Sequence, residues 1–87
     1  MEFSEDPGER ARKYIANFEK AYQKENIRAA KDSVIRGENV TKVSDAIERY
    51  LRDAHYYLEH DKPSTSLASV AYAEGLLDAL KFLELVQ

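Results

Sequence analysis

The sequence predicts an all-α fold, an up-and-down bundle of three helices, and three observations carry that prediction. Apolar residues recur every three or four positions through three successive stretches, which is the period of an amphipathic helix. Strong stop signals separate the stretches, at Gly37 and at Asp61-Lys62-Pro63. The last stretch, from Thr65 to Leu83, is so apolar that other elements must cover most of its circumference. Its only charged residues are Glu74, Asp78 and Lys81, one narrow stripe at i, i+4 and i+7.

The first helix opens at Asp6-Pro7-Gly8-Glu9. Asp6 can cap it, Pro7 suits the first helical position, and Glu9 completes a pair that resembles a capping box. Its stripe is Ala11, Tyr14, Ile15, Phe18 and Tyr22. Beyond Glu25 the stripe turns ragged, so the end is expected between Ala30 and Arg36, with Gly37 as the left-handed residue after it. The second helix is expected at about 40–60, capped by Asn39 or Thr41, with Val43, Ile47, Tyr50, Leu51, Ala54, Tyr57 and Leu58 as its stripe. Pro63 pushes Lys62 out of the helical region and ends the segment. Ser64, Thr65 and Ser66 offer caps for the third helix, at about 65–84, and so short a link makes helices two and three antiparallel neighbours. The whole reads as one domain over 1–87, with helices at about 7–33, 40–60 and 65–84.

Composition excludes several classes of function. There is no cysteine, hence no disulfide, thiolate metal site or cysteine nucleophile, and this suits a reducing compartment. No apolar run is long enough to span a membrane, and the acidic start does not resemble a secretory signal, so a soluble cytoplasmic protein is expected. Residues 1–44 carry nine Lys and Arg against eight Asp and Glu, and residues 45–87 carry four against eight. Neither half makes the basic surface that neutralises phosphates, so nucleic acid is a poor partner. The interleaved charges resemble those of thermophile proteins.

The inventory of reactive groups is thin. Asp53, Glu74 and Asp78 could gather on facing helices, but the Glu-x-x-His pairs of di-metal bundles are missing and no metal or other cofactor is expected. His55 and His60 are five apart, turned about 140° from each other, and cannot share a metal. The serines lack a paired base, and the three glycines are isolated, so no phosphate loop exists and nothing points to an enzyme. Gly75 stands inside a helix, where glycine costs about 1 kcal/mol relative to alanine. Either another helix approaches its backbone, with Tyr72 and Ala79 flanking the contact, or the gap admits a ligand or a partner. Helix three is also more apolar than a three-helix bundle requires. The excess suggests a surface that another protein or a second copy covers, with Leu67, Val70, Leu77 and, on helix two, Tyr56 as its residues.

The run Asp53-Ala54-x-x-Tyr57-Leu58-Glu59-x-Asp61, followed by Ala68-x-x-x-Tyr72-Ala73-x-Gly75-x-Leu77-Asp78-Ala79, resembles the signature of an archaeal group of short proteins, domain-of-unknown-function family 357. The resemblance covers roughly residues 43–83, with departures at Leu76 and at His60-Asp61. It implies a left-handed, up-and-down three-helix bundle from an archaeal source and no particular reaction, and it singles out Asp53, Tyr72, Gly75 and Asp78 as a set. The segment Arg49 to His55 has the spacing of the Arg-to-His motif of helical HEPN ribonucleases, but Tyr50 stands where that motif carries a polar residue. Two readings remain. One is a non-catalytic interaction or scaffold module, with a homodimer through helix three as one form of it. The other is a small ligand- or metal-binding protein using Asp53, Tyr72, Glu74, Gly75 and Asp78.

Overall fold

In the computed structural model, which describes residues 6–24 and 37–83, three helices pack as an all-α bundle: α1 (Pro7–Gln23), α2 (Gly37–Glu59) and α3 (Pro63–Phe82). The expected end of the first helix, between Ala30 and Arg36, lies outside the described residues. The described α1 closes at Gln23, where the Lys24 N–H turns back to the Ala21 carbonyl at 3.2 Å. At its start, the Asp6 carboxylate accepts the N–H groups of Gly8 at 2.7 Å and Glu9 at 3.2 Å, the cap that the sequence foretells. Those backbone donors, Glu9 first, hold the Asp6 carboxyl below its usual range.

Two expectations about helix ends are corrected. Gly37, expected as a left-handed residue after the first helix, is the first residue of α2, and no described glycine has positive φ. Ser64, Thr65 and Ser66 do not cap α3: Lys62 is the N-cap residue, with no side-chain cap bond, and Pro63 takes the first helical position. The reason lies in the turn. Lys62 N–H bonds to the Tyr57 carbonyl at 2.8 Å and Asp61 N–H to Leu58 at 3.2 Å, with Asp61 at φ 59°. This is the Schellman pattern of bonds, with aspartate standing where glycine is usual. It reverses the chain so tightly that Ser66 falls on the buried side, and its hydroxyl donates across to the Ala54 carbonyl of α2 at 2.7 Å.

The core is a single cluster. Ile15 and Phe18 come from α1, Val40, Ile47, Leu51 and Ala54 from α2, and Val70, Ala73, Leu77 and Leu80 from α3. Tyr22, Val43, Tyr50, Leu58 and Leu76 seal its edges. The largest interface joins α2 to α3 and the smallest joins α1 to α2. That smallest interface is held by polar contacts. The Tyr22 hydroxyl lies 2.9 Å from Ser44 Oγ and donates to Glu48 at 3.2 Å, and His55 Nε2 meets Glu19 Oε2 at 2.9 Å. Burial first, then the neighbouring Glu48 carboxylate, raises the Tyr22 phenol above its ordinary pKa, partly offset by its bond to Ser44.

Candidate interaction surface

The geometry of α3 sorts its residues into three directions. Ser66, Ser69, Val70, Ala73, Leu77 and Leu80 are buried and point inward. Glu74, Asp78 and Lys81 line a groove toward α1, of about 240 Å³, together with Tyr14, Asn17, Phe18 and Ala21. Of the other positions, Ala68, Ala71, Tyr72, Gly75, Ala79 and Phe82 are all exposed. At ~100° per residue these six fall within an arc of ~100° opposite the core. No charged residue of α3 lies in that arc.

Gly75 sits at its centre. A Cβ placed there would meet nothing within 4 Å, so neither α1 nor α2 approaches its backbone. The close intramolecular contact expected from the sequence is therefore absent. The cause is register: Ala73 and Leu77, two residues to either side, face the core, and two residues on a helix turn about 200°. The arc carries a repeat of small residues at intervals of four, Ala71, Gly75 and Ala79, with aromatics at its borders. Tyr72 is 64% exposed and stacks on Tyr50 of α2, ring centroids 5.3 Å apart, while Phe82 is 85% exposed.

The structure thus divides the candidate ligand-binding set. Glu74 and Asp78 meet in the groove on the α1 side, whereas Tyr72 lies on the α2 side against Tyr50, and Asp53 follows Tyr50 by one turn on that same edge. Gly75 stands between the two edges. Among the described residues, no three His, Cys, Asp or Glu side chains come close enough to hold a metal ion together. The expected interface set is divided as well. Val70 and Leu77, 1% and 2% exposed, are consumed by the intramolecular core and cannot serve a partner. Leu67 is half-buried, and Tyr56 lies on the far side of α2, edge-on to Tyr57 at 5.4 Å and stacked on His60 at 4.0 Å.

His60 Nδ1 donates back to the Tyr56 carbonyl at 2.8 Å, while His55 reaches α1, so the two imidazoles diverge as their spacing implies. Arg49 and His55 also part company. The Arg49 guanidinium lies 5.6 Å from the centre of the Tyr50 ring, whereas His55 reaches Glu19 of α1. Reading the sequence for this surface found Tyr72, Gly75 and Ala79 but missed Ala68, Ala71 and Phe82. The signal was the spacing of Ala71, Gly75 and Ala79, visible only once glycine and alanine are counted as a contact surface rather than as filler.

These features define a class: a small helical bundle, one of whose helices turns an uncharged, small-residue face outward. Within that class, a family model described as Protein of unknown function (DUF357) matches residues 13–86, and the chain belongs to that family. No curated protein and no solved structure matches it. Among the described residues, no helix is long and apolar enough to cross a membrane.

Proposed function

We propose that this chain is a non-catalytic association module that joins a second copy of itself through the outward face of α3. One observation carries the reading. A helix-interior glycine is unfavourable by about 1 kcal/mol, and at Gly75 no intramolecular contact offsets it. A helix backbone pressed against Ala71, Gly75 and Ala79 would supply the missing contact and would cover Tyr72 and Phe82 as well.

Sedimentation equilibrium across a hundredfold concentration range tests it, with Gly75→Arg as the control. The arginine enters open space on an exposed helical position, so the bundle stays intact by circular dichroism. The native chain is expected to associate and the variant to remain monomeric. A native chain that stays monomeric throughout sinks the proposal.

A second reading, a small cationic ligand in the groove between α1 and α3, draws on the convergence there of Glu74 and Asp78 beside Tyr14 and Asn17. Calorimetry with divalent cations and with polyamines, on the native chain and on Asp78→Asn, separates it from the first. Absence of heat with all of them removes it.

A further inference from the structure

The seams between the three helices are built differently. α2 and α3 share the largest interface and supply eight of the ten residues of the described core cluster. Inside that seam the Ser66 hydroxyl donates to the Ala54 carbonyl at 2.7 Å. The Tyr50–Tyr72 stack closes one edge of it, and the hydrogen-bonded turn at Asp61 ties the two helix ends together. These two helices form a hairpin with its own packing, its own buried hydrogen bond and its own turn.

α1 adds only Ile15 and Phe18 to the same cluster, and grooves run along both of its seams. On the α3 side lies the groove of about 240 Å³, where Phe18 and Leu77 are among the lining residues. On the α2 side a second groove, of about 290 Å³, opens between Ile15 and Leu58 and is flanked by Arg12, Glu19, His55 and Glu59. A groove along a seam means that facing side chains do not interdigitate there, so dispersion contacts are forfeited. The contacts that do cross from α1 to α2 are polar and wet. The side chains of the His55–Glu19 pair are 49% and 38% exposed, and the Tyr22 hydroxyl meets Ser44 and Glu48 at the rim. Such contacts stabilise little, because water competes for both partners. A helix of 17 residues also draws most of its stability from tertiary packing, so α1 unravels once it leaves the bundle.

We infer that α1 is a detachable cover, released as one unit from an α2–α3 hairpin that stays folded. Release bares the flanks of Leu58 and Leu77 that line the two grooves opposite Ile15 and Phe18. The opened form is a minor state, reached at a fraction of the free energy of global unfolding. It does not depend on association through the outer face of α3, since the residues that hold α1 lie elsewhere.

Hydrogen exchange of the full chain, read by mass spectrometry at concentrations too low for association, tests this. Amides in the middle of α1, from Ile15 to Phe18, are expected to exchange together and roughly thirtyfold faster than those around Leu51 and Leu77. Their exchange should also depend less steeply on urea, because a partial opening exposes less surface. Ser66→Ala then separates partial from global opening. The bond it removes lies within the hairpin and persists when α1 leaves, so only global unfolding becomes easier. Exchange in α2 and α3 should rise roughly tenfold while that of α1 stays as it was. If α1 exchanges no faster than α2, or if Ser66→Ala speeds all three helices by one factor, α1 leaves only when the whole chain unfolds, and the proposal is overturned. Exchange that grades inward from the ends of α1, with no shared rate in its middle, is fraying and overturns it as well.

Discussion

The two faces of α3 are nearly equal in apolarity and opposite in fate. One presents Ser66, Val70, Ala73, Leu77 and Leu80 and is buried; the other presents Ala68, Ala71, Gly75, Ala79 and Phe82 and is exposed. What separates them is side-chain size and shape. The buried face holds branched side chains that interdigitate with Ile47, Leu51 and Phe18, and its serine finds a carbonyl on α2. The outer face offers mainly methyl groups and bare backbone, which make few contacts with side chains but allow another helix to come close. Hydrophobicity alone assigns both faces to the interior. Packing assigns only one of them there.

The sharpest way to break this comparison is to truncate one residue on each face. Leu77→Ala should destabilise the domain by about 2–5 kcal/mol, as expected where a buried leucine is cut back in a dense core, and urea denaturation reads that loss. Such a loss is a large fraction of the total stability of a chain this small. It also means that Leu77→Glu would unfold the bundle rather than merely separate copies of it. On the other face, Gly75→Ala should stabilise the isolated bundle by about 1 kcal/mol, because it improves helix propensity and its methyl group meets open space. Denaturation measured at the lowest protein concentrations checks this, and a destabilised variant there would mean that Gly75 does have an intramolecular role. At high concentration the same substitution should weaken association, since the added methyl lies in the contact. A gain in one measurement and a loss in the other would distinguish the two faces most clearly.

The smallest expected effects lie away from α3 and follow from two titrating groups at opposite ends of the pH scale. Asp6 has its carboxyl pKa lowered in the folded state by the Glu9 and Gly8 N–H groups. Its contribution is therefore present above the ordinary carboxylate pKa and is lost as pH falls through the lower folded value. Tyr22 has the opposite sign. Its phenol pKa is raised on folding, first by burial, so its contribution is full below the ordinary tyrosine pKa of 10.0 and is lost as pH rises through the higher folded value. Thermal melts across the acid range should thus show a decline that Asp6→Asn blunts, and melts above pH 10.0 a decline that Tyr22→Phe removes. A pH profile left unchanged by both substitutions would mean that the α1 contacts carry no titratable share of stability.

Much of the architecture was legible in the sequence because helical periodicity is local. Ala11, Ile15 and Phe18 on α1 and Ile47, Leu51 and Ala54 on α2 were placed on inward stripes by spacing alone, and they are buried. The Asp6 cap and the break before Pro63 are also short-range events, decided within four residues. The candidate site was less legible. The family resemblance grouped Tyr72, Gly75 and Asp78, yet they look in different directions: Tyr72 toward Tyr50, Asp78 into the groove with Asn17, Gly75 straight outward. Ser66 looked like a cap because serines before a helix usually are, and only the left-handed turn at Asp61 rotates it into the interface with α2.

The sequence by itself determined the number of helices, the stop between α2 and α3, and the core stripes of α1 and α2, since these follow from the chemistry of near neighbours along the chain. Which side of the evenly apolar α3 would be buried was decided only by the tertiary structure. A helix apolar on nearly all sides has no preferred inward direction of its own. The tight turn at Asp61 and the bulk of Val70, Leu77 and Leu80 against the stripes of α1 and α2 set that direction, and Gly75 was left outside.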